Sequence, residues 1–394
     1  MTVGLGIPAG RLPMTPKDVS RRILLVNKRT VLAGLCLSSL CVMLVAALSP
    51  FTRHPANEVT WTGKENGLYF GDYGTVLSSA DFAPAGHQTE RACSLAILLQ
   101  PAETFDSSVI IAFSTQESPR QFRIGQANDA MFVSRTIPAG RNRGKTSGIL
   151  VEHAFRRGQQ LLITVTSDGQ AASIYLNDRS VKASRHFGLS SQDFSGQLVL
   201  GNSPVRHESW SGYLKGVVFY DRELTAAEVS GEYRDWIQKG RVETVKEKRV
   251  VALYLFNEHA GKVVHNQVRA RPDLYIPDHF VTLHQAFLTL PWEEYSADWG
   301  YLRGILKNIL GFVPFGFLFC AYLSVTQLRP RAIVATILLG ALISLSIEIV
   351  QAYLPSRESG MTDIITNTLG TTLGAFGSIC RPAASLLAKL RRPE

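Results

Sequence analysis

Cysteine is scarce in this chain, and none of the cysteines is placed to form a metal site. Four of the 5 lie in or beside apolar runs, where cysteine behaves as a small hydrophobic residue: Cys36, Cys41, Cys320 and Cys380. Cys93 stands alone in the polar middle of the chain, so that region has no internal disulfide. The cysteines lack zinc-type spacing and the histidines form no ligand array. The sequence predicts no metal and no cofactor.

Acidic residues are outnumbered by basic ones, 32 against 41, which gives a formal net charge of +9. A basic excess can indicate a nucleic-acid partner, because phosphate is attracted to such surfaces. Here many of the cations flank apolar runs instead, which is the distribution expected around membrane helices. The pattern therefore disfavours nucleic acid and predicts membrane lipid as a partner.

The first long apolar run is Val31–Leu48, which follows several closely spaced cations. Its length, about 18 uncharged residues, is enough to cross the hydrocarbon core. A cleaved signal peptide is the alternative, since basic residues before an apolar stretch also describe an export signal. The run is long for such a signal and Ser49-Pro50-Phe51 is a poor cleavage site, so a retained anchor is favoured.

Three further segments after residue 304 are predicted as membrane helices, over about 305–325, 332–354 and 363–380. The last is glycine-rich and weakly hydrophobic, and the spacing of Gly370 and Gly374 favours close approach to a neighbouring helix. Four crossings put the basic N-terminal arm, the Arg329–Arg331 turn and the basic tail on one side, which the positive-inside rule makes the cytoplasm. The sequence thus predicts an inner-membrane protein with both termini cytoplasmic and the long insert outside.

The insert between the first and second helices is predicted as an all-β domain. Its short runs suit strands: 94–99, 109–113, 161–166, 173–176, 197–200, 214–220 and 251–256. Ser167-Asp168-Gly169 supplies a turn, and Thr225 with Glu228 predicts a capping box at the start of a helix. Many short strands with regular turns indicate an antiparallel jelly-roll sandwich.

The fold class is therefore multi-domain, an α-helical transmembrane bundle of about four helices with an all-β antiparallel jelly-roll sandwich. The predicted segments are a basic arm over 1–30, a transmembrane helix over 31–49, the sandwich over 55–285, an interfacial connection over 286–303, a transmembrane region over 304–380 and a basic tail over 381–394. Trp292 and Trp299 lie in the interfacial connection.

Three stretches of the insert resemble the laminin-G-like, concanavalin A-like jelly roll: GLYFGDYGTV from Gly67, ITVTSDGQAASIYLNDRSV from Ile163 and WSGYLKGVVFYDRELTAAEV from Trp210. The last contains the Tyr-Asp strand end and the Leu-Thr-x-x-Glu helix start of that family. ALYLFNEHAG at Ala252 is similar to a strand that normally comes first, so its late position is a departure that a permuted connection would explain. The resemblance implies glycan binding, in some members with calcium.

Within the insert, Trp210 is a candidate for stacking on a sugar, although such tryptophans more often belong to the core or the sheet edge. The candidate oxygen ligands for calcium are Asp106, Asn128, Asp129 and Asp168. They lack the spacing of a calcium loop, which favours solvated loop acids instead. Nothing in the sequence indicates the paired carboxylates of a glycosidase.

The membrane half carries polar residues at unusual depth. Glu348 and Gln351 lie three apart on one helix face, and Asp363 and Asn367 lie four apart at the start of the last helix. An ionisable residue in a membrane segment is a functional candidate by default. The alternatives are that Asp363 caps its helix, that the asparagines form interhelical hydrogen bonds, and that Arg357 anchors at the headgroups.

The motifs NILGFVPFGF at Asn308, SIEIVQ at Ser346, PSR at Pro355 and DIITNTLG at Asp363 resemble the VanZ-like family of membrane proteins. One member of that family is associated with teicoplanin resistance, which implies an envelope role. The residues that match the family's motifs are Asn308, Pro314, Gly316, Glu348, Gln351, Arg357, Asp363, Asn367 and Gly370.

Three functions follow from these features. The favoured one is a non-enzymatic envelope protein whose jelly roll binds a surface glycan, a cell-wall component or a protein, with a contribution to glycopeptide resistance. The alternative is an intramembrane enzyme or lipid-handling protein acting on an anionic lipid. There Glu348 or Asp363 would be the general acid or base, and the substrate-binding residues would be Asn308, Gln351, Arg357 and Asn367. A transporter is disfavoured because four helices without a repeat are few.

Overall fold

The computed structural model describes residues 16–49, 52, 54–63, 65–82, 92–104, 107–137, 145–238, 249–268, 272–285, 287–294, 299–325, 327–354, 357 and 359–380. The chain divides into two compact units. The helical unit comprises Met1–Phe51, Phe287–Ala352 and Ser359–Glu394, and the sandwich unit comprises Thr52–Ala286 and Tyr353–Glu358. The predicted basic tail and the first half of the basic arm lie outside the described residues.

Two antiparallel sheets of 8 strands each build the sandwich unit, as the sequence predicted. The first sheet contains β1 Val59–Trp61, β2 Leu68–Phe70, β4 Cys93–Pro101, β9 Leu161–Ser167, β10 Ala172–Leu176, β11 Arg179–Ser184, β13 Gly212–Tyr220 and β14 Val250–Tyr254. The second contains β3 Val76–Ser78, β5 Ser107–Ser114, β6 Phe122–Ala127, β7 Ala130–Thr136, β8 Thr146–Val151, β12 Gln197–Leu200, β15 Val263–Val264 and β16 Leu274–Tyr275.

Strand β13 organises the first sheet because it pairs with three other strands. It pairs with β4 over its full length, with β2 through Gly212–Leu214 and with β14 through Val217–Tyr220. Strand β14, which carries the ALYLF motif, therefore pairs with the second half of β13, whereas β2 pairs with the first half. The chain after the helix completes the sandwich, which explains the unusual order of the motifs.

The core lies between the sheets, where the inward side chains of both meet. A cluster of aromatic rings fills its centre: Phe82, Phe113, Phe122, Phe194 and Phe219. The central strands β4, β5 and β9 are buried on both faces over most of their length, which is why they read as continuous apolar runs.

A helix covers the outer face of the first sheet. It is α2, Ala226–Tyr233, which continues into a π-helical turn over Arg234–Gln238. The predicted capping box is present, since the Thr225 hydroxyl accepts from the Glu228 N–H at 3.4 Å and the Glu228 carboxylate accepts from the Thr225 N–H at 2.8 Å. The ring of Trp236 lies directly over Gly216, where an added Cβ would come within 1.7 Å of it.

The helical unit contains α1 Pro16–Leu48, α3 Pro291–Glu294, α4 Trp299–Leu323, α5 Arg329–Gln351 and α6 Met361–Ile379. Three stretches of the described chain are long and apolar enough to cross a membrane: Arg29–Leu48, Tyr301–Leu323 and Arg329–Gln351. Helix α6 is not among them, because hydroxyl and glycine residues lower its hydropathy. Its exposed side chains are nevertheless apolar at Met361, Ile365, Leu369, Leu373 and Phe376. Its crossing therefore stays a prediction.

Helices α4 and α6 run parallel with their backbones in close contact. A Cβ on Gly370 would lie 2.2 Å from the Ile309 carbonyl oxygen, and one on Gly374 would lie 2.1 Å from that of Val313. From the other side, a Cβ on Gly316 would lie 2.1 Å from the Thr371 oxygen. Only glycine fits these positions, so the small residues of both helices set how closely they approach.

Candidate functional site

Polar residues of the helical unit gather at one end of the bundle, where α1 and α5 end and α4 and α6 begin. The Gln351 side chain marks this end, because its Nε2 donates to the carbonyl oxygen of Ala47 at 2.8 Å. Gln351 lies in the last turn of α5 and Ala47 in the last turn of α1. Four helix ends therefore meet near these polar residues.

Glu348 has a carboxylate that is almost completely buried, with 1% of the residue exposed. Its Oε2 accepts a hydrogen bond at 2.8 Å from the N–H of Gly360, the residue before α6, which has no side-chain cap of its own. A helix N-terminus carries unsatisfied N–H groups and partial positive charge, and both favour a carboxylate there. Glu348 thus supplies the cap of α6 from a neighbouring helix.

Asp363 and Asn308 connect the two parallel helices. The Asn308 Nδ2 donates to the Asp363 Oδ1 at 2.7 Å, and Asp363 lies in the first turn of α6. This bond crosses from α4 to α6 on the side where glycine lets the backbones approach. Two residues that the motifs separated by more than fifty positions are therefore direct partners.

Asn367 joins α6 to α5, since its Nδ2 donates to the Ser344 Oγ at 2.9 Å. The Oδ1 of Asn367 and the Oε1 of Gln351 are buried and have no hydrogen-bond partner among the described residues. Pro314 lies inside α4. The polar motif residues of the helices thus make bonds between helices, which suits the interhelical role that the sequence allowed for the asparagines.

Arg357 groups with the sandwich unit rather than with the helices. It is half-buried, and its N–H donates to the Leu354 carbonyl oxygen at 2.9 Å. Pro355, the first residue of its motif, lies outside the described residues.

The sandwich unit has a polar pocket of about 180 Å³ at one end. It is formed by the turn after β2, the loop after β4, the start of β5, the end of β6 and the segment just before β13. Its lining residues are Asp72, Glu103, Ser108, Gln126, Ser209, Trp210 and Ser211. Carboxylates, hydroxyls and an amide therefore converge on one cavity from five separate segments.

Gln126 holds this pocket together, and it is 2% exposed. Its Oε1 accepts from the Trp210 Nε1 at 3.1 Å, and its Nε2 donates to the Glu103 carbonyl oxygen at 2.7 Å. Trp210 is only 1% exposed and its ring centroid lies 6.3 Å from that of Phe70 in the core. The prediction that Trp210 stacks on a sugar is therefore wrong, because its ring faces are packed. It forms the floor of the pocket instead.

Two acidic residues line the pocket, and two stacked rings lie beside one of them. The Glu103 carboxylate is paired with Arg157 at 3.1 Å, and the Asp72 side chain is exposed. The Asp72 carbonyl oxygen lies 2.7 Å from Nε2 of His207, whose ring stacks on Tyr73 with centroids 4.7 Å apart. This arrangement offers hydrogen-bond acceptors next to flat rings.

The oxygen ligands proposed for calcium serve as turn residues where the structure describes them. Asn128 adopts a left-handed conformation, with φ 57°, and Asp129 lies 2.5 Å from the His153 Nδ1 and raises the pKa of that histidine. The Asp168 carboxylate accepts from the N–H groups of residues 171 and 170, which lower its pKa. Asp106 lies outside the described residues. Among the described His, Cys, Asp and Glu residues, no group of three could hold a metal ion.

Comparison with known proteins agrees with these two units. Residues 74–230 match the model of the concanavalin A-like lectin/glucanases superfamily, and residues 250–381 match the VanZ/LLP1 model. The second match begins at β14, inside the sandwich unit. No curated protein matches the sequence.

Several solved structures are similar to the sandwich. The heptameric SAP-like pentraxin of Limulus polyphemus is 15% identical with a TM-score of 0.33, over 50% of this chain and 88% of that one. A putative carbohydrate binding protein of Bacteroides ovatus is 11% identical with a TM-score of 0.39, over 56% of this chain and 61% of that one. The receptor binding domain of botulinum neurotoxin D is 11% identical with a TM-score of 0.35, over 46% and 47%. This chain thus spans less than two thirds of the last two.

The expected combination is confirmed by the two family matches. In one membrane-associated polypeptide, this chain carries a concanavalin A-like jelly roll and a VanZ-like region with apolar helices.

Proposed function

We propose that this protein is a membrane-anchored binding protein of the bacterial cell envelope that holds a carbohydrate in the pocket of its sandwich unit. The observation that carries the proposal is the convergence of Asp72, Glu103 and Gln126 with three serines on one cavity. The match to a superfamily of lectins and glucanases supports the same class of ligand.

The chemistry of the lining suits a sugar. Each sugar hydroxyl both donates and accepts, and the pocket offers carboxylate acceptors beside serine hydroxyls that do both. The cavity of about 180 Å³ has room for several waters, which a bound ligand could displace. Bonds from sugar hydroxyls to a carboxylate such as that of Asp72 would be charge-assisted, and those are stronger than bonds between neutral groups.

The orientation in the membrane follows from the charge at the two ends of the bundle. Exposed cations lie at the end of the bundle opposite the buried carboxylate of Glu348. They are Arg29, at the start of the apolar part of α1, and Arg329 and Arg331, at the start of α5. The positive-inside rule would make that end cytoplasmic. This supports an outward-facing polar end in an inner membrane.

The experiment measures binding by the full chain in lipid nanodiscs on a glycan array, followed by titration with the best sugar. Asp72→Asn removes a charged acceptor and keeps the shape, so binding should weaken about 10-fold to 100-fold. Asp81→Asn, at another exposed acid outside the pocket, is the matched control and should bind like wild type. An array without any bound glycan, or equal binding by both variants, contradicts the proposal.

A second candidate, action on an anionic envelope lipid, rests on the buried carboxylate of Glu348 together with Asp363, both in the helical unit. Teicoplanin susceptibility of cells tests it, because the VanZ resemblance supports a contribution to glycopeptide resistance. Glu348→Gln retains an acceptor for the Gly360 N–H but cannot transfer a proton. Resistance lost in a folded Glu348→Gln variant would favour proton chemistry, and resistance kept would leave Glu348 as a helix cap.

A further inference from the structure

The segment before α4 carries the most exposed tryptophan of the described chain. Trp292 is 73% exposed and Phe287 is 58% exposed, whereas the sandwich buries Trp210 and Trp236. We call residues 287–294 the aromatic strap; it includes the short helix α3. Two large rings on one short segment of the helical unit are costly in water, so a partner is expected to cover them.

Hydrogen bonds fix the aromatic strap to the start of α6. The Thr289 N–H donates to the Ser359 carbonyl oxygen at 3.1 Å, and the Met361 N–H donates to the Thr289 carbonyl oxygen at 3.0 Å. The Thr289 hydroxyl also donates to the Ser359 oxygen at 2.9 Å. The strap is therefore attached to the helical unit, and its backbone at Thr289 has a fixed position relative to α6.

That position is where α6 and the apolar stretch of α4 begin. The strap is bonded to the first residue of α6, and the apolar stretch of α4 begins at Tyr301, a few residues beyond α3. Exposed leucines follow on α4, at Leu302, Leu306 and Leu310, beside the exposed cations Arg303 and Lys307. The exposed rings are thus close in sequence to a surface of leucines and cations, the composition expected where a helix passes through the headgroup layer.

We propose that the aromatic strap is a membrane-contact surface whose partner is the headgroup layer of the bilayer, with Trp292 and Phe287 inserted at the boundary with the acyl chains. Tryptophan suits this layer because its ring is apolar while its N–H bonds to water and headgroups. A second copy of the chain would need a complementary surface, whereas lipid already faces the adjoining leucines of α4. The inference does not depend on the carbohydrate proposal.

The test is quenching of tryptophan fluorescence by brominated lipid. The full chain, which has 5 tryptophans, is placed in phosphatidylcholine vesicles with bromine either near the headgroups or near the chain ends. Trp292→Phe should reduce the fluorescence quenched by the shallow bromines by roughly half or more, because few tryptophans lie next to the helices that enter the bilayer. The effect of the deep bromines should be smaller.

Two variants make the result specific. Trp61→Phe removes a half-buried tryptophan of the sandwich unit and should leave the quenched amplitude unchanged. Phe287→Trp in the Trp292→Phe background should restore quenching by shallow bromines. Equal quenching in wild type and Trp292→Phe would overturn the proposal. It would also be overturned if shallow bromines quenched Trp292 only in a crosslinked dimer of the chain.

Discussion

One of the close backbone contacts between α4 and α6 gives a sharp prediction about stability. In Gly370→Ala, the new Cβ would lie 2.2 Å from the Ile309 carbonyl oxygen and 3.0 Å from two more atoms of that residue. Ordinary contact begins at 3.4 Å, so α4 and α6 must separate locally by about 1.2 Å, the difference between the two distances. Because all the nearby atoms belong to backbone, no side chain can rotate away to relieve the clash.

The expected cost follows from two terms. Overpacking of a close contact costs about 1–3 kcal/mol. The separation would also stretch the bond between Asn308 and Asp363, now 2.7 Å, and an interhelical bond in a membrane is worth about 0.6 kcal/mol. Gly370→Ala should therefore destabilise the helical unit by roughly 2–4 kcal/mol in total.

The assay is unfolding of the full chain in mixed micelles titrated with sodium dodecyl sulfate, followed by circular dichroism. Gly311→Ala is the matched control, because Gly311 lies on α4 and a Cβ there meets no atom within 4 Å. It should change the stability by less than about 0.5 kcal/mol, or raise it through better helix propensity. If the two variants unfold alike, the close approach of α4 and α6 is refuted.

Three other predictions concern capping, ring packing and a helix link. The pKa of Glu228 is lowered to about 2 by its bond to a neighbouring arginine, so its contribution is present above pH 4.5 and is lost as the pH falls towards 2. Denaturation should show Glu228→Gln losing roughly 1–2 kcal/mol at pH 7 and little at pH 2, after allowance for partial exposure. Gly216→Ala should displace Trp236, cost roughly 1–3 kcal/mol and shift its fluorescence, unlike Gly231→Ala, where a Cβ has open space. Gln351→Leu should cost less than about 1 kcal/mol in the micelle assay, since losing the bond to α1 is offset by removing a buried unpartnered oxygen; a loss above ~2 kcal/mol would contradict this.

The sequence by itself determined which elements form. Apolar runs long enough to cross a bilayer become helices, because a backbone in lipid must satisfy its own hydrogen bonds. Short runs with turn residues became the strands of the sandwich, and the capping box at Thr225 appeared where the sequence placed it. These features depend on residues close together in the chain, so local periodicity and turn chemistry are enough to predict them.

Only the tertiary structure decided which distant side chains meet. The sequence showed that Glu348 and Asp363 are unusual in apolar surroundings. It could not show that Glu348 bonds to Gly360 or that Asp363 bonds to Asn308. For Trp210 the sequence could not predict burial, because a tryptophan beside a strand looks the same in sequence whether its ring is buried or exposed.

The pocket was beyond the reach of sequence reasoning for the same physical reason. Asp72, Glu103 and Gln126 come from three separate segments, and each is an ordinary polar residue in its own local sequence. Their convergence follows from the pairing of strands far apart in the chain, which is set by long-range packing between the sheets. Local sequence thus determined the helices and strands, and the packing of the sheets decided where the polar pocket forms.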